Sequence, residues 1–188
     1  ITAQTHDSVM NISPVSLESF EEQLRASRPE KEKGKSSNII LKLGMVGKRW
    51  MFEKIISFLD YLEEEDFTFS LIVDPVLVSS SGRSLMEDEA LDFLRNVILP
   101  RVTLLTPNLY EAEKLAKVEV KNVEDVEKMA EKLLSMGVES VLIKGGHFFE
   151  KFSKNSKETI QDYFCNNSKR YWLKAKKIKL NNNLNPRI

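Results

Sequence analysis

Hydrophobic residues in this chain follow two spacings: short continuous runs and stripes at helical intervals. Continuous runs of this length are typical of buried strands. Three of them end at a short polar segment: Phe69–Val73 before Asp74-Pro75-Val76, Val102–Leu105 before Thr106-Pro107-Asn108, and Val138–Ile143 before Lys144-Gly145-Gly146. Helical stripes separate the runs, so the pattern predicts a parallel sheet whose strand ends share one edge, where ligands of open α/β sheets bind.

The helical stripes come with residues that begin and end helices. Ser16 and Asn122 stand where N-caps are expected, and Gly137 is placed to end a helix. Acidic residues from Glu87 to Glu89 begin another helix, which we expect Pro100 to stop. The predicted buried faces are Leu17, Phe20 and Leu24; Met51, Ile55, Phe58, Leu59 and Leu62; Leu91, Leu94, Val97 and Ile98; and Val126, Met129, Ala130, Leu133 and Leu134.

Asn38–Leu41 predicts a further strand, and two strand-like runs follow the glycine pair. Gln161–Phe164 and Tyr171–Leu173 flank Asn166-Asn-Ser168, which predicts a small antiparallel addition at the sheet edge. The basic residues in this region suit a solvated edge strand better than a nucleic-acid surface: Lys169, Arg170, Lys174, Lys176, Lys177 and Lys179. Residues 1–188 are therefore expected to form one α/β domain.

Two of the strand-end segments allow a functional and a purely structural interpretation. Lys144 beside Gly145 and Gly146 could form an anion-binding nest for phosphate, or the glycines could simply turn the chain away from the sheet. Asn108 followed by Glu111 is typical of a capping box at a helix start. The same two side chains could also lie near nucleotide phosphates and a hydrated Mg²⁺.

Asp74 follows a buried strand at the same predicted edge. Its carboxylate could hold Mg²⁺ through water, or Asp74-Pro75 could be a plain turn. Met45 could line a small apolar pocket, although a lone methionine is more often a core residue. Gly44 and Gly47 lack the spacing of a dinucleotide fingerprint, so the sequence does not favour NAD binding.

Charge and cysteine content narrow the class of protein. Lys and Arg balance Asp and Glu at 28 each, so net charge gives no argument for nucleic acid or a membrane surface. No apolar run has the length of a membrane span. Cys165 is the single cysteine, which favours a reducing, cytoplasmic location and an inert buried thiol.

The order of the motifs resembles the phosphomethylpyrimidine kinase family of thiamine biosynthesis, within the ribokinase-like superfamily. The resemblance covers Ile1 to about Leu180. It rests on seven segments in order: Thr2-Ala-Gln-Thr5, Pro14-Val-Ser16, Lys42-Leu-Gly-Met-Val-Gly47, Asp74-Pro-Val-Leu-Val78 with Ser81-Gly82, Leu99-Pro100, Leu105-Thr-Pro-Asn-Leu-Tyr-Glu-Ala-Glu113 and Ile143-Lys-Gly-Gly-His147.

The resemblance implies a three-layer α/β/α kinase with a mostly parallel sheet, which phosphorylates hydroxymethylpyrimidine and then its monophosphate with ATP and Mg²⁺. It places Gln4, Met45 and Val76 against the pyrimidine. An amide suits an aminopyrimidine edge because it donates and accepts hydrogen bonds. It also implies a homodimer. The nucleotide side would be formed by Asn108, Lys144, Gly145 and Gly146, with Glu111 and Asp74 near the metal.

Two family features have no counterpart in the sequence: a glycine-rich loop upstream of Thr2, and a Gly-Thr-Gly-Cys anion-hole turn after Leu180. We therefore expect an incomplete fold without its first strand and last helices, no identifiable catalytic residue, and little activity from this chain itself. Two alternatives stay open. One is a pyridoxal-type kinase of the same superfamily, and the other is a non-catalytic remnant that pairs with another chain.

Overall fold

The computed structural model describes residues 2–4, 9–30, 38–79, 82–145 and 159–176. Within these ranges the chain forms a two-stranded sheet, a six-stranded sheet and the helices that pack on it. In chain order the elements are β1 (Thr2–Gln4), β2 (Val9–Ile12), α1 (Leu17–Ala26), β3 (Asn38–Leu43), α2 (Arg49–Glu64), β4 (Thr68–Val73), α3 (Asp88–Phe93), β5 (Leu104–Leu105), α4 (Leu109–Ala116), α5 (Val123–Ser135), β6 (Ser140–Lys144), β7 (Thr159–Asn166) and β8 (Arg170–Lys176).

The larger sheet has the order β3-β4-β5-β6-β7-β8. Its first four strands are parallel, and β7 and β8 add to β6 as an antiparallel pair. The predicted mixed α/β fold with a mostly parallel sheet and an antiparallel edge is therefore confirmed. β1 and β2 form a separate antiparallel sheet that sequence reasoning did not anticipate.

The capping residues begin the helices as expected. The Ser16 hydroxyl accepts a hydrogen bond from the Ser19 N–H at 3.2 Å, and the Asn122 side chain accepts one from the Asp125 N–H at 2.9 Å. Gly137 follows α5 with a φ of +99°, a conformation that residues with a Cβ rarely adopt. These local contacts fix where the chain turns back toward the strands of the sheet.

The helical segment that begins at α3 differs from its prediction. After Phe93 the chain continues through a π-helical turn, Leu94–Ile98, and a short 3₁₀ turn, Leu99–Arg101, so Pro100 does not stop it. A π-turn adds a residue to the repeat and shifts the buried stripe. Val97 is consequently exposed, while Leu99 is fully buried. Leu17 was also expected to be buried, and it is exposed because it lies at the first position of α1.

The buried core lies on one face of the larger sheet, the covered face. Alternate residues of each strand point to it, from Leu71 and Val73 in β4 through Val141 and Ile143 in β6 to Cys165 in β7. They form one hydrophobic cluster with the buried residues of α2, α3, α4 and α5, while α1 packs on α2 through Phe20 and Trp50. In the described part of the chain, the helices thus form a layer on the covered face.

The charged edge behaves as predicted where it is described. Lys174 and Lys176 are exposed on β8, at the end of the strand order, while Lys177 and Lys179 lie outside the described residues. None of the helices in the described ranges is both long enough and apolar enough to cross a membrane.

Cys165 is fully buried in β7, and burial raises the pKa of its thiol to about 11. At pH 8 only roughly one thiol in a thousand would then be ionised, and the thiolate is the reactive form. We expect Ellman's reagent to modify the folded chain orders of magnitude more slowly than the chain in denaturant. Equal rates in the two conditions would show that this thiol is accessible in the folded state.

Candidate active site

The ends of β4, β5 and β6 meet at one edge of the sheet, which we call the strand-end cluster: Asp74, Asn108, Glu111 and Lys144. The Lys144 N–H donates to the Pro107 carbonyl at 2.8 Å, and Asn108 pairs with Lys144 as an isolated parallel bridge. The Lys144 ammonium lies 2.8 Å from an Asp74 carboxylate oxygen. The parallel arrangement therefore brings residues far apart in sequence into direct contact.

Asp74 is shared between two lysines. Its second oxygen lies 3.8 Å from the Lys42 ammonium, which comes from β3. The Asp74 side chain is 28% exposed and those of Lys42 and Lys144 are 66% and 42% exposed. Ion pairs this open to water contribute little to stability. The pairs therefore hold charged groups at the sheet edge without being needed for the fold.

Glu111 is the buried acid of the cluster, with 4% of its surface exposed. Its carboxylate accepts a hydrogen bond from the Asn108 N–H at 2.7 Å, and the Asn108 side chain accepts one from the Glu111 N–H at 2.9 Å. This is the predicted capping box, now confirmed. Burial raises the pKa of Glu111, and the Asn108 hydrogen bond, the positive charge of Lys144 and the backbone of Leu77 partly offset that rise.

The raised pKa of Glu111 makes the stability of the fold depend on pH. A carboxyl whose pKa is higher in the folded state contributes most below its unfolded pKa, and the contribution is lost as pH rises through the folded value. We expect Glu111→Gln to gain stability relative to wild type between pH 4 and pH 7, because the amide cannot ionise. Urea denaturation at several pH values measures this difference. The same substitution at exposed Glu64 is the control, and a matching trend there would contradict the assignment to Glu111.

Gly145 lies beside the cluster, but its amide is already paired. The Gly145 N–H donates to an Asp162 carboxylate oxygen at 3.0 Å. In this arrangement the amide is not free to bind a phosphate, so an anion nest here requires Asp162 to give way. Gly146, the other glycine of the predicted nest, lies outside the described residues.

A cavity of about 470 Å³ opens next to the carboxyl end of β3. Its walls come from the residues after β2, from α1, from the turn between β3 and α2, and from the segment that precedes α3. Met45, Met51, Met86 and Phe20 make it largely apolar, and Gln23 brings an amide to it. The Lys48 ammonium and the Glu87 carboxylate, which form an ion pair, also line it. Its size is in the range of small-molecule sites.

The cavity and the strand-end cluster are joined through Leu77. The backbone of Leu77 interacts with the Glu111 carboxylate, and its carbonyl accepts a hydrogen bond from the Leu85 N–H at 2.8 Å. Leu85 in turn lines the cavity. Gly47 forms another close contact in the wall, since a Cβ there would lie 2.7 Å from the Leu85 carbonyl oxygen. Two potential binding regions therefore share one backbone segment.

The three residues expected to contact a pyrimidine are placed differently from one another. Met45 lines the cavity and is 42% exposed. Val76 is half-buried next to the strand-end cluster but is not part of the cavity wall. Gln4 ends β1, and its side chain lies outside what the structure describes. The structure thus brings together Asp74, Asn108, Glu111, Lys144 and Gly145. Of the two described side chains of the predicted pyrimidine group, only Met45 lines the cavity.

Two residues of the site were missed from sequence. Lys42 reaches Asp74 because β3 and β4 pair with Lys42 opposite Ile72, and Asp162 reaches Gly145 because β7 runs antiparallel to β6. The signal for Lys42 was its position at the end of a predicted strand. Asp162 lies in the predicted antiparallel addition, but the sequence does not give the register that puts it opposite Lys144.

Comparison with known proteins defines the class first. The fold matches the crystal structure of a phosphomethylpyrimidine kinase from Clostridium difficile 630 with a TM-score of 0.69 and 26% sequence identity, over 91% of this chain and 67% of that one. A Staphylococcus aureus pyridoxal kinase, solved in complex with pyridoxal, matches with a TM-score of 0.74 and 22% identity, over 95% and 59%. The fold, with polar strand ends at one sheet edge, is that of the ribokinase-like kinases.

The sequence then defines the family. A family model described as phosphomethylpyrimidine kinase matches residues 1–184, and the chain belongs to this family. A hydroxymethylpyrimidine/phosphomethylpyrimidine kinase from Bacillus subtilis is 33% identical over 152 residues, which cover 78% of this chain and 51% of that protein. The chain spans about half the length of the curated relatives it matches.

Proposed function

We propose that this chain carries part of an ATP-dependent kinase that phosphorylates hydroxymethylpyrimidine and its monophosphate in thiamine diphosphate biosynthesis. The observation that carries the proposal is the strand-end cluster, in which Lys144, Asp74 and Glu111 converge at the carboxyl edge of a parallel sheet. Family membership gives the reaction class. We infer a cytoplasmic location from the single buried thiol, and a homodimer from the resemblance alone.

The nucleotide side of the proposal rests on Lys144 and Asn108. Phosphoryl transfer depends on positioning and on neutralising charge at the transferred phosphate, and a lysine ammonium suits that role. Structures of the Staphylococcus aureus pyridoxal kinase contain ADP and AMP-PCP, which supports nucleotide use by this fold. Gly145 and Gly146 belong to the proposal as backbone donors, provided Asp162 releases the Gly145 amide.

The donor set at the cluster fits Mg²⁺ held mainly through water and phosphate. Within the described ranges, no three His, Cys, Asp or Glu side chains gather to form a metal cage. Magnesium in kinase sites commonly takes one or two carboxylates, with waters and substrate phosphates completing its ligands. Asp74 and Glu111 would supply the carboxylates, and the bound ion would neutralise phosphate charge.

The pyrimidine side is proposed at the cavity, with Met45 as an apolar wall and Gln4 and Val76 completing the contacts. An apolar cavity with a few polar groups suits a small flat heterocycle.

Calorimetric titration of the chain with hydroxymethylpyrimidine and, separately, with pyridoxal tests the substrate. We expect the pyrimidine to bind more tightly, and Met45→Glu to weaken its binding at least tenfold by placing a charge in the cavity wall. Val97→Glu is the matched control, because Val97 is about as exposed as Met45 and is not part of the cavity wall. A coupled assay of ADP release then reports turnover. Preference for pyridoxal would favour the alternative kinase, and no binding of either would contradict the proposal.

A further inference from the structure

Lys42 lies beside the strand-end cluster, and the proposed nucleotide contacts leave it without a role. Its backbone is fixed by the sheet: Lys42 pairs with Ile72 in the parallel register of β3 and β4, and the Asp74 N–H donates to the Leu43 carbonyl at 2.9 Å. Its side chain is 66% exposed, and its ammonium lies 3.8 Å from an Asp74 carboxylate oxygen. The charged end of Lys42 is therefore accessible to a ligand while its backbone is held in place.

Two lysines share the single carboxylate of Asp74, which can neutralise one ammonium and not both. The Lys144 ammonium lies 2.8 Å from an Asp74 oxygen, within hydrogen-bond distance. The Lys42 ammonium, at 3.8 Å, is beyond the limit of about 3.2 Å for an N–H···O hydrogen bond. Lys42 is therefore the less restrained of the two positive charges.

Lys42 also lies between the two binding regions. Along the chain it comes three residues before Met45, which lines the cavity, and three extended residues span at most about 10 Å. Through space its ammonium faces Asp74 of the strand-end cluster. A substrate that binds in the cavity and reacts at the cluster would consequently place its reacting group near the Lys42 ammonium.

The two substrates of the proposed kinase differ in the charge of the group that accepts the phosphoryl group. Hydroxymethylpyrimidine presents a neutral hydroxyl, whereas its monophosphate presents a phosphate with a charge of about −1.5 to −2 at pH 7. In the second transfer, a phosphate oxygen bonds to the γ-phosphorus of ATP while the bond from that phosphorus to the ADP oxygen breaks. Two groups of like charge must then approach each other, so a cation beside the acceptor matters more for the monophosphate.

We propose that Lys42 binds the phosphate of the monophosphate substrate and so allows one site to accept both a hydroxyl and a phosphate. The inference rests on the proposed function and adds the residue that distinguishes its two substrates. A lysine binds phosphate as a compact charge on a flexible stem, which lets the ammonium move from Asp74 to a ligand. Lys48 lines the cavity as well, but its ammonium is held in a direct ion pair with Glu87.

Calorimetric titration of the full chain with hydroxymethylpyrimidine and, separately, with its monophosphate tests this role. We expect Lys42→Met to weaken binding of the monophosphate by about 10- to 100-fold, the range for a hydrogen bond to a charged group. Binding of hydroxymethylpyrimidine should weaken far less, because its hydroxyl carries no charge. Lys42→Arg should retain binding of the monophosphate, because it keeps the positive charge.

Lys128→Met is the matched control and should leave the affinity for both compounds unchanged. The Lys128 side chain is 72% exposed and its ammonium lies 3.4 Å from an Asp125 oxygen, but it belongs to α5 and not to the cavity wall or the strand-end cluster. The melting temperature of each variant, followed by circular dichroism, should match that of the wild type, because ion pairs this exposed contribute little to stability. Lys42→Gln replaces Lys42→Met if the methionine variant melts at a lower temperature.

The outcomes separate this inference from the proposed function. If the wild-type chain binds neither compound, the proposed function fails and the role of Lys42 fails with it. If the wild-type chain binds both and Lys42→Met weakens both equally or neither, the proposed function stands and the inference is overturned. Loss of monophosphate binding in Lys48→Met but not in Lys42→Met would also overturn it, because the phosphate would then lie at the cavity wall.

Discussion

Replacing Gly137 by alanine is expected to lower the free energy of unfolding by about 3 kcal/mol, the sum of backbone strain and overpacking. Gly137 has a φ of +99°, and a Cβ there would lie 2.8 Å from the Cα of Pro100 and 3.1 Å from its Cβ. The turn between α5 and β6 would have to separate from the turn that ends the helical segment after α3. Urea denaturation monitored by circular dichroism measures the loss.

Gly82→Ala is the matched control for this substitution. Gly82 also has a positive φ, +81°, but nothing lies within 4 Å of the position its Cβ would take. Its alanine variant should therefore show strain alone, about 1 kcal/mol for an L-residue in the left-handed region. Equal losses for the two variants would show that the contact between Gly137 and Pro100 does not matter.

Replacing Lys144 by methionine is expected to weaken binding of ATP with Mg²⁺ by about 10- to 100-fold, the range for a hydrogen bond to a charged group. The aliphatic part of the side chain is retained, while the ammonium that pairs with Asp74 is lost. The fold should persist because Lys144 is held in β6 by backbone hydrogen bonds and its side chain is 42% exposed. Calorimetric titration with ATP and Mg²⁺ measures the change.

Lys174→Met removes the same charge from the exposed edge strand and should leave nucleotide affinity unchanged. A second measurement separates loss of the ammonium from a general disturbance of the fold. Lys144 lowers the pKa of Glu111, so Lys144→Met should raise that pKa further, as followed by carboxyl titration in NMR. If both lysine variants weaken binding alike, long-range charge rather than the strand-end cluster governs affinity.

Whether the sequence predicts a contact of the site depends on how the two residues are related along the chain and through the sheet. The capping box of Asn108 and Glu111 joins residues three apart, so local pattern was sufficient. Convergence of Asp74 and Lys144 follows from the rule that parallel strands share a carboxyl edge, although the residues are 70 apart. The pairing of Gly145 with Asp162 needed the register of an antiparallel strand, which the composition of β7 does not give.

In the fold, too, regular local patterns were predicted from the sequence and departures from them were not. Caps and helical stripes predicted α1, α2, α4 and α5 because their spacing follows the regular helical repeat. Val97 was misassigned because a π-turn changes that repeat, and no residue in Leu94–Ile98 signals it. The continuous apolar runs indicate that both faces of the sheet are buried, but they do not say which chain segment covers each face. They therefore could not predict that the described core lies on one face of the sheet.

The hydrogen bond between Leu77 and Leu85 has a thermodynamic consequence for the two binding regions. A ligand that displaced Leu85 at the cavity while this hydrogen bond held would also displace the Leu77 backbone that faces Glu111. Affinity at one region would then depend on occupancy of the other, and linkage requires the factor to be the same in both directions. Under the proposed function, the pyrimidine and the nucleotide would each affect the binding of the other through this backbone hydrogen bond.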